Sequence, residues 1–184
     1  MHAFEPPPPP PKRRRAITLW TIAAAILIVP SLVVWIVRGL AFALSCAPGP
    51  NPCRNLPLGF VLHQALNLCW LIASDSLVGV AIGFVAAASA LIARRPLLAS
   101  LSMLVLPLAA LALPTMAVFF TLYPGCEPSE TGIGDCVVWG DHMGMAFHRA
   151  AMAPNLIDNF VAYVFALAVM IAILGFAFFR RKRG

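Results

Sequence analysis

Apolar residues run through most of this chain in long, almost uncharged stretches, and the few polar interruptions divide it into segments. Ala16 to Val37 carries no charged side chain. A helix of about 22 residues at about 1.5 Å per residue covers the ~30 Å hydrocarbon core of a bilayer. That stretch is also longer than the core of a signal peptide, about 7 to 15 residues, so it reads as a retained anchor. Leu56 to Ala93 is roughly twice as long as one crossing needs. Counting back from Arg94, a crossing ends near Ser74-Asp75-Ser76, which places Asp75 at the outer interface, where a carboxylate costs little. Residues 57–73 are then predicted to form a helix outside the crossing, in the headgroup plane or packed on the second loop. His63, Gln64, Asn67, Ser74 and Asp75 share one stripe of it.

A third segment, Leu97 to Tyr123, carries Pro107 and Pro114 seven apart, so both kinks fall on one face. A fourth is predicted to begin after Pro154, with Asn155 as helix cap and Asp158 in the first turn, and to run to Phe179. The predicted architecture is an all-α integral membrane protein, a four-helix transmembrane bundle over residues 16–179. Its crossings are near 16–37, 76–93, 97–123 and 155–179, and its outer loops are 38–75 and 124–154, which build a small extracytoplasmic cap. Residues 1–15 form a Pro-rich, basic tail, in which Pro6 to Pro11 favour extended polyproline helix. Residues 180–184 form a short basic one.

Composition agrees with this pattern. The chain is 61% hydrophobic and 11% charged, with a mean hydropathy of +0.88. Soluble domains hold about 45 to 50% apolar and about 25% charged residues. The net charge of +6 does not indicate nucleic acid, because the cations sit in clusters at the ends of apolar runs and not on a folded polar face. Lys12 to Arg15, Arg94 with Arg95, and Arg180 to Arg183 all fall on one side of a four-crossing chain; only Arg38, Arg54 and Arg149 fall on the other. The positive-inside rule therefore predicts cytoplasmic termini in an inner (plasma) membrane. Glu127, Glu130, Asp135 and Asp141 fall in the second outer loop. No charge lies deep in a predicted crossing, which disfavours a pump or secondary transporter.

Of five cysteines, Cys46, Cys53, Cys126 and Cys136 lie in the two outer loops. Thiols in an oxidising space become disulfides, and four cysteines allow three connectivities, of which pairing within each loop is the simplest. Three prolines between Cys46 and Cys53 stiffen the first loop further. Cys69 remains as a small buried hydrophobe or a lipid-facing residue.

Four crossings with both ends inside and a cysteine pair in each outer loop resemble, in topology, the thiol-quinone oxidoreductases of the DsbB kind. That resemblance implies exchange through Cys46, Cys53, Cys126 and Cys136 with quinone as cofactor, and the positive charge of Arg54 beside Cys53 would favour a thiolate there. The spacing differs: the family has Cys-X-X-Cys in its first loop, whereas six residues, three of them proline, intervene here. A third reading is metal binding on the outer side by His142, Met143, Met145 and His148, ligands that suit copper. Gly79, Gly83 and Ala87 recur every fourth residue, a spacing that lets helix backbones approach. They serve packing within the bundle or a homo-oligomer. No phosphate-binding glycine loop or Ser-His-Asp set is present. The preferred expectation is a non-catalytic accessory, scaffolding or interaction protein with disulfide-stapled loops, no cofactor, and the lipid bilayer and other membrane proteins as partners.

Overall fold

The computed structural model describes residues 11–74, 76–119, 126 and 135–181. Asp75, Pro6 to Pro10 of the polyproline run, Tyr123, Glu127, Glu130 and the basic residues beyond Arg181 lie outside them. The described residues form five helices and one small hairpin: α1 (Pro11–Ala43), α2 (Leu58–Ser74), α3 (Ser76–Ile92), α4 (Pro96–Phe119), β1 (Val137–Val138), β2 (Asp141–His142) and α5 (Gly144–Arg181). The protein is thus essentially all-helical. Two stretches, Lys12–Ala43 and Pro96–Phe119, are long and apolar enough to cross a membrane, and Leu58–Ile72, Val78–Ile92 and Val161–Ala177 are shorter apolar helices.

Helices α1, α3 and α5 bury stripes rich in small residues, whereas α2 buries Leu58, Leu62, Leu66 and Trp70. On α1 the buried positions Ala16, Ala23, Leu27, Ser31, Val34, Val37 and Ala41 recur at three- and four-residue steps. On α3 they are Ala86, Ala87, Ser89 and Ala90, and on α5 Ala146, Ala150, Ala153, Ala168 and Ile171. Small side chains let backbones come close enough for extensive van der Waals contact, the main source of helix cohesion where water cannot drive association. Many large apolar side chains face outward: Ile22, Ile26, Ile36, Leu101, Phe165 and Ile173 are all exposed, while Leu27, Leu66, Trp70 and Met103 are enclosed. A soluble bundle has the reverse arrangement.

Helices α2 and α3 run one after the other along α1. Leu58, Leu62 and Leu66 of α2 share a core with Val34, Val37 and Ala41, near the end of α1, whereas Ile72 and Ala86 meet Ala23 and Leu27. Helix α4 packs against α1, α3 and α5. Gly83 seats α3 on α4, since a Cβ there would lie 2.8 Å from Pro107 Cγ. The Pro107 ring cannot rotate away, so Gly83→Ala is expected to destabilise the protein by about 1–2 kcal/mol, measurable as a lower Tm in detergent. Polar side chains inside the bundle find partners: Trp20 Nε1 donates to Ser102 Oγ at 2.8 Å, and Thr115 Oγ1 donates to Leu111 O at 2.7 Å. Beside Pro114, Trp35 Nε1 donates to Leu113 O, and the Arg38 guanidinium donates to Ala117 O while lying over the Trp35 ring. A cation from α1 thereby caps the carbonyl end of α4, where the helix dipole favours it.

The helix boundaries differ from the expectation in one important place. Helix α5 begins at Gly144 and continues through Pro154, so Asn155 is an interior residue and not a cap. The turns of helix before Pro154 are held by burial of Ala146, Phe147, Ala150 and Ala151, which outweighs the proline signal. The second outer loop is correspondingly shorter than 124–154. The first contains the last turn of α1 and the whole of α2, the helix expected over 57–73.

Candidate functional site

The two cysteine loops come together at one end of the bundle. Helix α1 ends there in a Schellman turn: Ser45 takes the left-handed conformation (φ 53°), its N–H donates to Phe42 O, and Cys46 N–H donates to Ala41 O. Cys46 is thus placed by a helix terminus. Its partner Cys53 starts a tight turn in which Arg54 and Asn55 both have positive φ (47° and 61°) and Leu56 N–H returns to Cys53 O at 2.8 Å. The pair Cys46–Cys53 joins these two elements with a Cα–Cα distance of 5.6 Å; Cys126–Cys136 has 4.9 Å. Both fall within the usual disulfide range.

The second loop carries a hairpin that the sequence reading did not anticipate. Val137 pairs with His142 and Val138 with Asp141 around a two-residue turn, Trp139-Gly140, with φ of 50° and 84°. A glycine at the second central position is the available signal for such a type I′ turn. It was masked by the expectation of one continuous loop. Met143 N–H closes the hairpin onto Cys136 O at 2.7 Å.

The hairpin turn then binds the first loop. Trp139 N–H donates to Gly49 O at 2.8 Å, and Gly140 lies against Pro50 O and the Pro52 ring. Beneath it, the Val138 and Trp139 carbonyls press on Gly59 in the first turn of α2, where a Cβ would stand only 2.7 Å and 2.6 Å from them. His63, one turn further along, faces Asp141 Oδ1 at 3.2 Å, and the same oxygen accepts the His142 N–H. Loops one and two, α2 and the start of α5 therefore form a single assembly around one apolar core. That core includes Cys53, Cys126, Cys136, Val138, Trp139, Met143 and Phe147.

This assembly decides how accessible the sulfurs are. Cys53, Cys126 and Cys136 are 4%, 6% and 4% exposed, whereas Cys46 is half-buried. Arg54 is exposed in its turn. Cys69 is a free, buried thiol on α2, 3.8 Å from the Ser31 hydroxyl of α1, and so is part of the interior. The four residues considered for a metal are dispersed in environment: Met143 is fully buried, His142 and Met145 are exposed, and His148 is half-buried on α5. Among the described residues no three His, Cys, Asp or Glu side chains are grouped to hold a metal. Gly83 lies against Pro107, Gly79 is in close contact with the Ile72 carbonyl, and Ala87 is buried with Met103 and Ala168. All three thus have neighbours within this chain. Comparison with protein-family models, curated proteins and solved structures finds no match for the chain.

Proposed function

We propose that the protein is a four-crossing inner-membrane protein, with crossings in α1, α3, α4 and the part of α5 after Pro154, and with α2 outside them. Its termini are cytoplasmic, and its cysteine end is a rigid, non-catalytic interaction platform on the outer side. The observation that carries this reading is the burial of Cys53, Cys126 and Cys136 in the core that joins both loops to α1, α2 and α5. Thiol–disulfide exchange needs in-line approach of a thiolate to a sulfur atom, and a sulfur enclosed in packed side chains does not admit it. Disulfides in such a position act as staples. The outward-facing Ile, Leu and Phe side chains along the helices support immersion in lipid, and the segregation of the basic clusters from the cysteines supports the orientation.

A quinone-linked thiol exchanger is the second reading, favoured by Cys46, which is half-buried in a concavity lined by its own loop from Leu44 to Arg54. The experiment that separates the two uses intact cells expressing the full chain, with Cys53→Ala and Cys136→Ala variants and acid-quenched alkylation. The staple reading expects no mixed disulfide from either variant and no quinone in the purified protein. It also expects that impermeant maleimide labels Cys46 of the Cys53→Ala variant from outside. A trapped thiol partner would replace the platform by an exchanger, and labelling only after cell lysis would reverse the orientation.

A further inference from the structure

Two basic clusters that are remote in sequence share one end of the fold, because Trp20 near the start of α1 packs with Ala90, Leu91 and Ala99 on either side of the α3–α4 turn. Helix α1 starts with Lys12, Arg13, Arg14 and Arg15, all exposed. Arg94 and Arg95 are exposed in the α3–α4 turn, which a second Schellman arrangement holds: Arg94 has φ 60° and donates to Leu91 O, and Arg95 N–H donates to Ala90 O. Helix α5 reaches the same turn, because Gly175 packs with its Cβ position 3.0 Å from Pro96 Cβ and 3.2 Å from Leu91 Cδ2. The sequence after it continues to Arg180-Arg181-Lys182-Arg183. None of the six cations described in full pairs with a carboxylate of a described residue. Asp135 and Asp141 belong to the opposite, cysteine-bearing end.

The residues next to these cations define the occupant. Ile92 and Leu97, on either side of Arg94-Arg95, are each 64% exposed, and Ile17, Leu19 and Phe176 are exposed beside the other two clusters. Cations bordered immediately by exposed hydrocarbon suit a molecule with phosphate at one end and acyl chains at the other. A nucleic acid or acidic protein would leave that apolar border in water. Because two clusters converge, a headgroup with two phosphates meets more cations than a single-phosphate lipid does, for one ordering cost.

We propose that the Arg94-Arg95 turn, with the basic start of α1, binds a phospholipid with a two-phosphate headgroup in the leaflet that it faces. This rests on the membrane reading above. The test places the full chain in phosphatidylcholine nanodiscs doped with diphosphatidylglycerol or, at equal total charge, with phosphatidylglycerol. Lipid retention is read by native mass spectrometry and stability by thermal unfolding. Retention of diphosphatidylglycerol at least threefold above phosphatidylglycerol, with a raised Tm, is expected. Removing a cation at a membrane surface weakens such binding about fivefold, so Arg94→Gln/Arg95→Gln is expected to lose retention on the order of tenfold while its Tm in pure phosphatidylcholine stays at the wild-type value. Arg13→Gln/Arg14→Gln, which leaves the turn untouched, gives a second reading of the same loss. Equal retention of the two anionic lipids, or equal retention by variants and wild type, overturns the site while leaving the membrane reading intact. Failure of the chain to enter discs at all overturns both.

Discussion

Gly59→Ala is expected to lower the stability of the protein by about 2–3 kcal/mol, although replacing glycine by alanine where the backbone allows it ordinarily stabilises a protein by about 0.4–1 kcal/mol through the unfolded chain. The reversal of sign comes from what lies opposite. The added carbon would stand 2.6 Å and 2.7 Å from two backbone carbonyl oxygens, those of Trp139 and Val138, and neither belongs to a side chain that can rotate aside. Either α2 or the hairpin must retreat. Retreat of the hairpin strains the Trp139 N–H bond to Gly49 O and the His63–Asp141 contact together, since both reach the same few residues. Thermal unfolding in detergent should show the loss, and hydrogen exchange should localise it to residues 46–63 and 136–147. Protection in α4 and the later turns of α5 should stay unchanged. A variant as stable as the wild type would mean that α2 and the hairpin do not touch as described.

The two disulfides are expected to behave unequally. In the folded protein, mild reductant should open Cys46–Cys53 and leave Cys126–Cys136 intact, because Cys46 is half-buried while both sulfurs of the second pair are enclosed. The second pair should yield only when denaturant exposes the core. Mass mapping after reduction at increasing denaturant and trapping with maleimide measures this order. Both loops are short, with separations of 7 and 10 residues. The chain-entropy contribution is therefore similar, about 2–3 kcal/mol for each pair. Replacing Cys126 and Cys136 by serine should nevertheless cost more than replacing Cys46 and Cys53, because it also puts two hydroxyl groups in an apolar core, at about 1–3 kcal/mol for each one left without a partner. Equal costs, or first reduction at Cys126–Cys136, would contradict the buried placement of that pair.

Much of the helical architecture was legible along the chain. The helix over 57–73, the start of α3 after Asp75 and the α3–α4 turn at Arg94-Arg95 each follow from apolar length and local charge. The early start of α5 was not legible. Pro154-Asn155 is a strong local stop, and only the burial of Ala146, Phe147, Ala150 and Ala151 against other elements keeps the helix going before it. The hairpin was missed for a related reason, since four strand residues around Trp139-Gly140 are too few for periodicity to show. Their pairing is held by Gly49 and Gly59, which are distant in sequence. The same holds for His63, which meets Asp141 only because α2 and the hairpin are packed together.

By itself the sequence determined properties that depend on composition and on neighbours along the chain: helical content, apolar lengths sufficient for a membrane, cations gathered at segment ends, and cysteines gathered in loops. These follow because helix formation and transfer from water act residue by residue. Only the tertiary structure decided which groups meet across the chain. It enclosed three loop sulfurs and left one half-open, turned Gly59 and Gly83 into contact points, and brought the start of α1 and Gly175 of α5 to the α3–α4 turn. Contacts of that kind depend on close packing between elements separated by tens of residues, and no local pattern encodes the distance between them.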